Sequence, residues 1–375
     1  MASSSQQQLP VIIVGAGPCG LVTGLALKQY GVPFVMIERA SRSKICSNAG
    51  SGFELAPTAV EIFQNRLGVD LSKLINLYQG MKLCTIEGKH IRSVEIPSDY
   101  KGGSVNRAEM QNSLLEILFP TPESEEGILF CGSGLKTYRE EIQEGAGGGR
   151  VVATLSSGEE IRGCVLLACD GIHSRVRAVL HGGYDANKDW ETNSKIGNKK
   201  DPVHFCNAIS YWGKTKAPKG SDLYAAFDKS QRTKEDDHNR ANIPVMAFPT
   251  LQAPLSYFII PSQDGEMLNW AFTVYSKNQS ITRSNDGADL TRRGGGPLTE
   301  DEKKRLFDFS NHGRNSESLV RGVKDHPMLE MLIAATPAEE ITEAGLFDRQ
   351  NLNLPFTSES KLVALLGGKQ SSHTF

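Results

Sequence analysis

The stretch LPVIIVGAGPCGLVTGLAL, Leu9 to Leu27, restricts the fold of this chain more than any other. It is uncharged and about as long as a membrane span. Yet Gly15, Gly17, Gly20, Gly24 and Pro18 interrupt it, and no basic residue precedes it. A secretory signal needs a positive leading region, and the leader MASSSQQQ is too short and neutral for a transit peptide. The stretch therefore reads as a strand (the β-branched run Val11 to Val14), a tight turn and a buried helix from Leu21 to Tyr30. Gly31 ends that helix as a C-cap would, and PFVMIER supplies a second strand closing on Glu38.

The turn is a G-x-G-x-x-G at Gly15, Gly17 and Gly20. In such a turn the first glycine makes the sharp exit from the strand. The second lets backbone approach a pyrophosphate, and the third lets the helix pack tightly on the strand. The helix N-terminus then presents free N–H groups to the phosphates. Glu38, eighteen residues past Gly20, stands where a carboxylate accepts hydrogen bonds from a ribose. The motif itself does not separate NAD from FAD. GAGGGR, Gly145 to Arg150, and RRGGGPL, Arg292 to Leu298, are also glycine-rich, but neither joins a strand to a helix, so both read as turns or loops.

With 375 residues the chain can form two domains or one large α/β unit. Its 41 basic and 43 acidic residues give no reason to expect a nucleic-acid face or a polybasic membrane patch. Seven cysteines at irregular spacing, with no C-x-x-C, read as free thiols in a reducing compartment. No spacing suggests a metal site, and a cytoplasmic location is expected.

Four further stretches carry a resemblance. With Gly24 and Gly31 the glycine motif extends to G-x-G-x-x-G-x3-G-x6-G, which resembles the FAD-binding glutathione-reductase and hydroxylase superfamilies. GSGFELAPTAVEIFQNRLGV, Gly50 to Val69, resembles the GAGI-x-L-x-PNA segment of FAD-dependent aromatic-ring hydroxylases, in the salicylate hydroxylase and zeaxanthin epoxidase branch, with Thr58 in place of the usual Asn. NRAEMQNSLLEIL, Asn106 to Leu118, resembles their HRADLQ segment. LLACDGIHSRVR, Leu166 to Arg177, resembles their GADG-x-x-S-x-VR motif, with Cys169 for Ala.

The resemblance implies an α/β protein: a Rossmann-like FAD-binding fold with an inserted, mostly antiparallel β-sheet layer over the substrate. It implies an FAD-binding domain over 8–185, the β-sheet layer over 200–285, and helices with a final strand over 299–375 returning to the FAD-binding domain. It implies an FAD-dependent, NAD(P)H-using monooxygenase of a small apolar or aromatic substrate. NAD(P)H would bind transiently, and oxygen would be a co-substrate. A cyclase, isomerase or reductase of the same fold is the alternative, as is an inactive shortened form. FAD contacts are implied at Gly15, Gly17, Gly20, Glu38, Arg39, Gly52, Arg107, Asp170 and Gly171. No catalytic side chain is implied, because the flavin carries the chemistry.

The residues themselves agree in part. Met110, Leu114 and Leu118 recur at helical spacing after Asn106, a plausible N-cap with Glu109 three positions on, and Ile117 lies beside them. Arg107 then opens a helix, as a solvated charge or as a nucleotide contact. CVLLACDG reads as a fully buried strand ending at Asp170 and Gly171. HFCNAISYW, DLYAAF, PLSYFIIP and MLNWAFTVY read as an antiparallel sheet. In SYWG, Trp212 occupies the place of an Arg that binds anionic substrates in several relatives. This suggests an apolar substrate, or simple packing of the indole. Thr299 and Glu302 form a capping box, and a further helical region is expected over about 317–335. LVALLGG follows the family's LVALLGD up to Gly367, where Gly368 replaces Asp. The sequence thus leads to the expectation that the chain stops before its cofactor site is complete, binds FAD weakly and oxidises little NAD(P)H.

Overall fold

The computed structural model describes residues 8–45, 52–78, 80–85, 89–142, 148–182, 204–231, 245–247, 255–262, 266–275, 296–306, 327–348 and 353–367. The chain forms two compact units. One comprises Met1–Asn48, Ala108–His204 and Phe347–Phe375, the other Ala49–Arg107 and Phe205–Leu346. Residues 49–107 thus group with the second unit, although the sequence places them within the FAD-binding segment.

In the first unit β1 (Val11–Val14) leads through the glycine turn into α1 (Pro18–Gln29) and on to β2 (Phe34–Glu38). Helix α2 (Arg107–Leu118) enters the unit at Ala108, followed by β3 (Leu129–Cys131), β4 (Val165–Ala168), α3 (Arg175–Leu180) and β5 (Val363–Leu365). The strands form one parallel sheet in the order β5-β4-β1-β2-β3. From β1 the chain moves to β2 on one side, while β4 lies on the other, so the strand order reverses at β1. That is where open α/β sheets bind ligands, beyond the carboxyl ends of the strands.

Alternation sorts the two faces of this sheet. Ile12, Val14, Val35 and Ile37 pack with Tyr138 and Val151 of a three-stranded antiparallel sheet built from Leu135–Ile142, Gly149–Leu155 and Glu160–Gly163. On the other face α1 lies close to β2 and α2. A Cβ on Gly24 would stand 3.2 Å from Met36 Cε and 3.4 Å from Leu118 Cδ1. Lys28 Nζ donates to the last carbonyls of α2, Ile117 at 3.1 Å and Leu118 at 2.7 Å, and so complements the negative end of that helix. Met110, Leu114 and Leu118 are buried as their spacing suggests, whereas Ile117 is exposed. Strand β4 alternates half-buried and buried residues instead of being buried throughout, as Val165 and Leu167 turn away from the shared core.

The second unit holds an eight-stranded sheet. Its order runs Gly296–Pro297, Thr342–Asp348, His204–Lys216, Met267–Tyr275, Leu255–Pro261, Val245–Ala247, Gly80–Cys84, His90–Glu95. Five pairings along it are antiparallel, and that of Val245–Ala247 with Gly80–Cys84 is parallel. The expected α/β fold with an inserted, mostly antiparallel sheet is therefore present. One face packs Tyr211, Tyr257, Trp270 and Phe272 against Leu329 and Leu332 of the helix Pro327–Ala335. Tyr211 stacks on Phe272 at 4.8 Å. Gly213 makes room for the Trp270 indole, since a Cβ there would lie 2.5 Å from its Cζ2.

DLYAAF is not a strand. Asp222–Gln231 is a helix, with Leu223 and Phe227 four residues apart in the core and Ser221 Oγ accepting from the Tyr224 N–H at 3.1 Å. The capping box forms as expected: Glu302 N–H donates to Thr299 Oγ1 at 3.2 Å and Thr299 N–H to Glu302 Oε2 at 2.8 Å. Residues 317–326 of the second expected helical region, and Gly368, lie outside the described residues.

Candidate cofactor site

At the carboxyl ends of β1 and β4 the backbone itself shapes a cradle. Gly15 has φ +103°, a left-handed conformation that L side chains rarely adopt, and a Cβ there would lie 2.5 Å from the Cys169 carbonyl oxygen. A Cβ on Gly20 would fall 1.9 Å from the Gly15 carbonyl oxygen, so only glycine lets α1 start this close to the turn. Gly17 is different: a Cβ there meets nothing within 4 Å. The first and third glycines answer to packing, while the second borders open space. Gly17 is also the N-cap of α1, and no side chain caps that helix. The arrangement fits an anionic group at the helix start.

Two side chains hold the Ala16 peptide groups between these glycines. Ala16 N–H donates to Glu38 Oε2 at 2.8 Å, and its carbonyl accepts from Gln111 Nε2 at 3.0 Å. Glu38 Oε1 accepts from the Ala40 N–H at 2.7 Å. Each carboxylate oxygen has further lone-pair capacity, so Glu38 can fix the turn and still receive ribose hydroxyls. Gln111 is buried, with its Oε1 closed off from solvent and lacking a hydrogen-bond partner. The sequence reading passed over it. The available signal was a polar residue beside Met110 and Leu114 on a helix face that is otherwise apolar.

Asp170 follows β4 directly. Its Oδ2 accepts from the Arg175 N–H at 2.7 Å and the Val176 N–H at 3.2 Å, while Ser174 Oγ accepts from Arg177 N–H at 2.9 Å. The residue as a whole is half-buried, but Oδ1 is closed off from solvent with no partner. Burial pushes the carboxyl above the ordinary aspartate range, against the lowering effect of hydrogen bonds from Ser174 and the backbone. Gly171 has φ +76° and carries the chain away from the strand end.

The structure thus brings Gly15, Gly17, Gly20, Glu38 and Asp170 to one edge of the parallel sheet. Arg39 follows Glu38 and is exposed, its Cβ lining the approach to Gly134. Gly52 and Arg107 belong to the second unit. Gly52 pairs with Asn106 across antiparallel strands, and a Cβ there would stand 2.6 Å from the Val105 carbonyl oxygen. Arg107 is the first residue of α2.

This edge suits the pyrophosphate and ribose of a dinucleotide. Gly17 leaves the space, α1 supplies the uncapped N–H groups, and Glu38 together with the unpartnered oxygens of Asp170 and Gln111 supplies acceptors for hydroxyl or amide donors.

Comparison with known proteins agrees. Residues 8–233 match the family model described as FAD binding domain. The chain is 29% identical over 182 residues to the FAD-dependent monooxygenase anuJ of Penicillium roqueforti, covering 46% of this chain and 21% of that protein. It is 28% identical to an aurachin C monooxygenase/isomerase of Stigmatella aurantiaca, covering 46% and 43%. It is 27% identical to 3-hydroxybenzoate 6-hydroxylase 1 of Aquipseudomonas alcaligenes, covering 48% and 45%. This chain therefore aligns with between a fifth and a half of the length of these relatives. Among solved structures, Klebsiella pneumoniae HpxO complexed with FAD and uric acid superposes with TM-score 0.65 at 17% identity over 98% of this chain and 75% of that one. A salicylate hydroxylase substrate complex gives 0.61 at 20% over 98% and 74%.

Proposed function

The chain belongs to the FAD binding domain family, among the FAD-dependent aromatic-ring hydroxylases and monooxygenases, and from that premise we propose that it forms the core of an NAD(P)H-using monooxygenase acting on a small apolar or aromatic molecule. The observation that carries this reading is the cradle at Gly17, with Glu38 on one side and the buried, unpartnered Oδ1 of Asp170 on the other. Bound there, the flavin would supply electron transfer and oxygen activation. The chain's own residues bind and orient. The α1 N-terminus faces the pyrophosphate, Glu38 receives the adenosine ribose, and Asp170 and Gln111 accept or donate hydrogen bonds further along the cofactor. Arg39, Gly52, Arg107 and Gly171 are proposed as further contacts.

Four apolar side chains on the other face of the large sheet support the substrate class. Met246, Phe258, Ile260 and Trp212 alternate with the core residues and are half-buried. Ser210 and Thr273 on that same face hydrogen bond each other at 2.6 Å, and Ser256, Asn269 and Lys214 are its other polar side chains nearby.

The test is to add FAD to the purified protein, remove free flavin by gel filtration, and record the visible spectrum with and without NADH or NADPH. Oxygen uptake is then compared with product formed from neutral aromatic compounds. Retained flavin that is reduced and reoxidised with product matching oxygen supports the reading. Flavin that turns over without oxygen entering any product would make the protein a non-oxygenating flavoprotein instead.

A further inference from the structure

One row of side chains crosses five strands of the large sheet, on the face away from its aromatic core. The registers place Trp212 opposite Ala271, Ala271 opposite Phe258, Phe258 opposite Met246, and Met246 opposite Leu83. All five residues are apolar and belong to the second unit. Trp212, Phe258, Met246 and Leu83 are half-buried, and Ala271 is buried. With strands about 4.8 Å apart, the row runs for about 19 Å. Exposed Arg92 stands opposite Leu83 at its far end. The rows on either side differ in character. Ser210, Thr273 and Ser256 form one, and Lys214 and Asn269, with Ile260, form the other. The result is a long, narrow apolar strip between more polar borders.

The Trp212 end of the strip has two further features. Ala271 separates two ring-bearing neighbours, Trp212 and Phe258. These stand two strand spacings apart, so a flat ring over Ala271 would lie about 4.8 Å from each, within the range of aromatic pairs. Trp212 Nε1 is also closed off from solvent with no hydrogen-bond partner. The polar groups around it are committed. Ser210 and Thr273 bond each other at 2.6 Å, Asn269 Nδ2 donates to the Ile260 carbonyl at 3.4 Å, and Lys214 is not a free cation. On the core face, by contrast, the Trp270 indole donates to Thr215 Oγ1 at 2.8 Å and Thr336 Oγ1 at 3.1 Å. A buried N–H without an acceptor is costly, and native interiors leave few of them. An acceptor carried by a ligand accounts for the one at Trp212. A single neutral donor suits a carbonyl oxygen, whereas a carboxylate on this strip would lose its water for one hydrogen bond.

We infer that the substrate, granted the flavin-dependent reading above, is a neutral, flat ring that carries a carbonyl oxygen and a linear aliphatic arm. The carbonyl accepts from Trp212 Nε1. The ring lies over Ala271 between Trp212 and Phe258, and the arm follows Met246 toward Leu83. Trp212 and Met246 thereby select for different parts of one molecule.

The test is equilibrium dialysis of the full chain in excess FAD without reductant, with chromone, 2-pentylchromone and 2-pentylnaphthalene as probes. The pentyl arm should tighten chromone binding about thirtyfold, at about twofold per half-buried methylene. Trp212→Phe keeps a ring and removes the N–H. It should weaken both chromones about fivefold and leave 2-pentylnaphthalene unchanged. Met246→Gln should remove most of the gain from the arm while chromone itself binds as before. Circular dichroism verifies that each variant is folded, and should one fail, the other variant and the effect of the arm on the parent decide. No binding of 2-pentylchromone, an arm worth less than threefold, or a Trp212→Phe effect equal for the carbonyl and hydrocarbon probes would overturn the inference. These affinities require no turnover, so they stand apart from the flavin and oxygen measurements that decide whether the protein is a monooxygenase.

Discussion

Glu38 Oε2 accepts a hydrogen bond from the Ala16 N–H at 2.8 Å, so the carboxylate at the end of β2 holds the turn that leaves β1. The same side chain takes the Ala40 N–H, and Gln111 takes the Ala16 carbonyl. The turn that would meet the cofactor is fixed from both sides before any ligand arrives.

Replacing Glu38 with Ala removes the acceptor for two backbone donors and for a ribose. FAD affinity should fall by about 1.5–3 kcal/mol, the worth of a hydrogen bond to a charged group. Thermal stability should fall as well, because the Ala16 and Ala40 N–H groups lose their partner. Flavin fluorescence titration of the folded variant measures the first effect and a melting curve the second. Unchanged FAD affinity would remove Glu38 from the site.

The glycines should separate by mechanism. Gly20→Ala places a methyl group 1.9 Å from the Gly15 carbonyl oxygen and should damage the fold itself. Gly17→Ala meets no protein atom within 4 Å and should leave the melting temperature nearly unchanged. It should still weaken FAD binding, since the methyl group occupies the approach of the pyrophosphate. A Gly17→Ala protein that binds FAD as well as the parent would show that the open space serves something else.

Asp170 predicts a pH dependence. Its carboxyl is raised in the folded state, with burial as the first cause. Between the ordinary aspartate range and that raised value the folded state holds more protons than the unfolded one. Stability due to this group is therefore full at acid pH and declines as pH rises through the folded value. Asp170→Asn keeps an acceptor for the Arg175 and Val176 N–H groups but cannot ionise. Melting temperatures of parent and variant across this window should diverge as pH rises, with the variant flatter. Parallel curves would show that Asp170 titrates normally.

Trp212 tests the substrate class. Its indole nitrogen is closed off from solvent without a hydrogen-bond partner. Neutral lipophilic aromatics should bind the FAD-loaded protein more tightly than small anionic phenolates. Trp212→Phe keeps a ring and removes the N–H. It should weaken carbonyl-bearing ligands by about 0.5–1.5 kcal/mol and leave hydrocarbon analogues unaffected. Tighter binding of phenolates would refute the apolar reading.

Local patterns made much of this legible. Val11 to Glu38 carries a strand, a turn and a helix whose glycines have distinct steric duties, and the Thr299 capping box names its own helix start. DLYAAF was misread because its aromatic and small residues suit either structure. The Ser221 cap and the four-residue spacing of Leu223 and Phe227 were the deciding signs. Gln111 was hidden for another reason: it finds its partner far away in sequence, where periodicity is silent.

The strand order of the nucleotide sheet has a consequence for how the protein assembles. β1 and β2 are neighbours in sequence, but β5 joins β4 through the pairings of Leu166 with Val363, Leu167 with Ala364 and Ala168 with Leu365, across the whole Phe205–Leu346 segment. A large loop must close before that parallel pair forms, and pairings of such high contact order are slow. The glycine turn can therefore take shape early, while the edge containing β5 is completed late. Until then β4 exposes an open backbone edge, the part of the nascent chain most vulnerable to pairing with another copy.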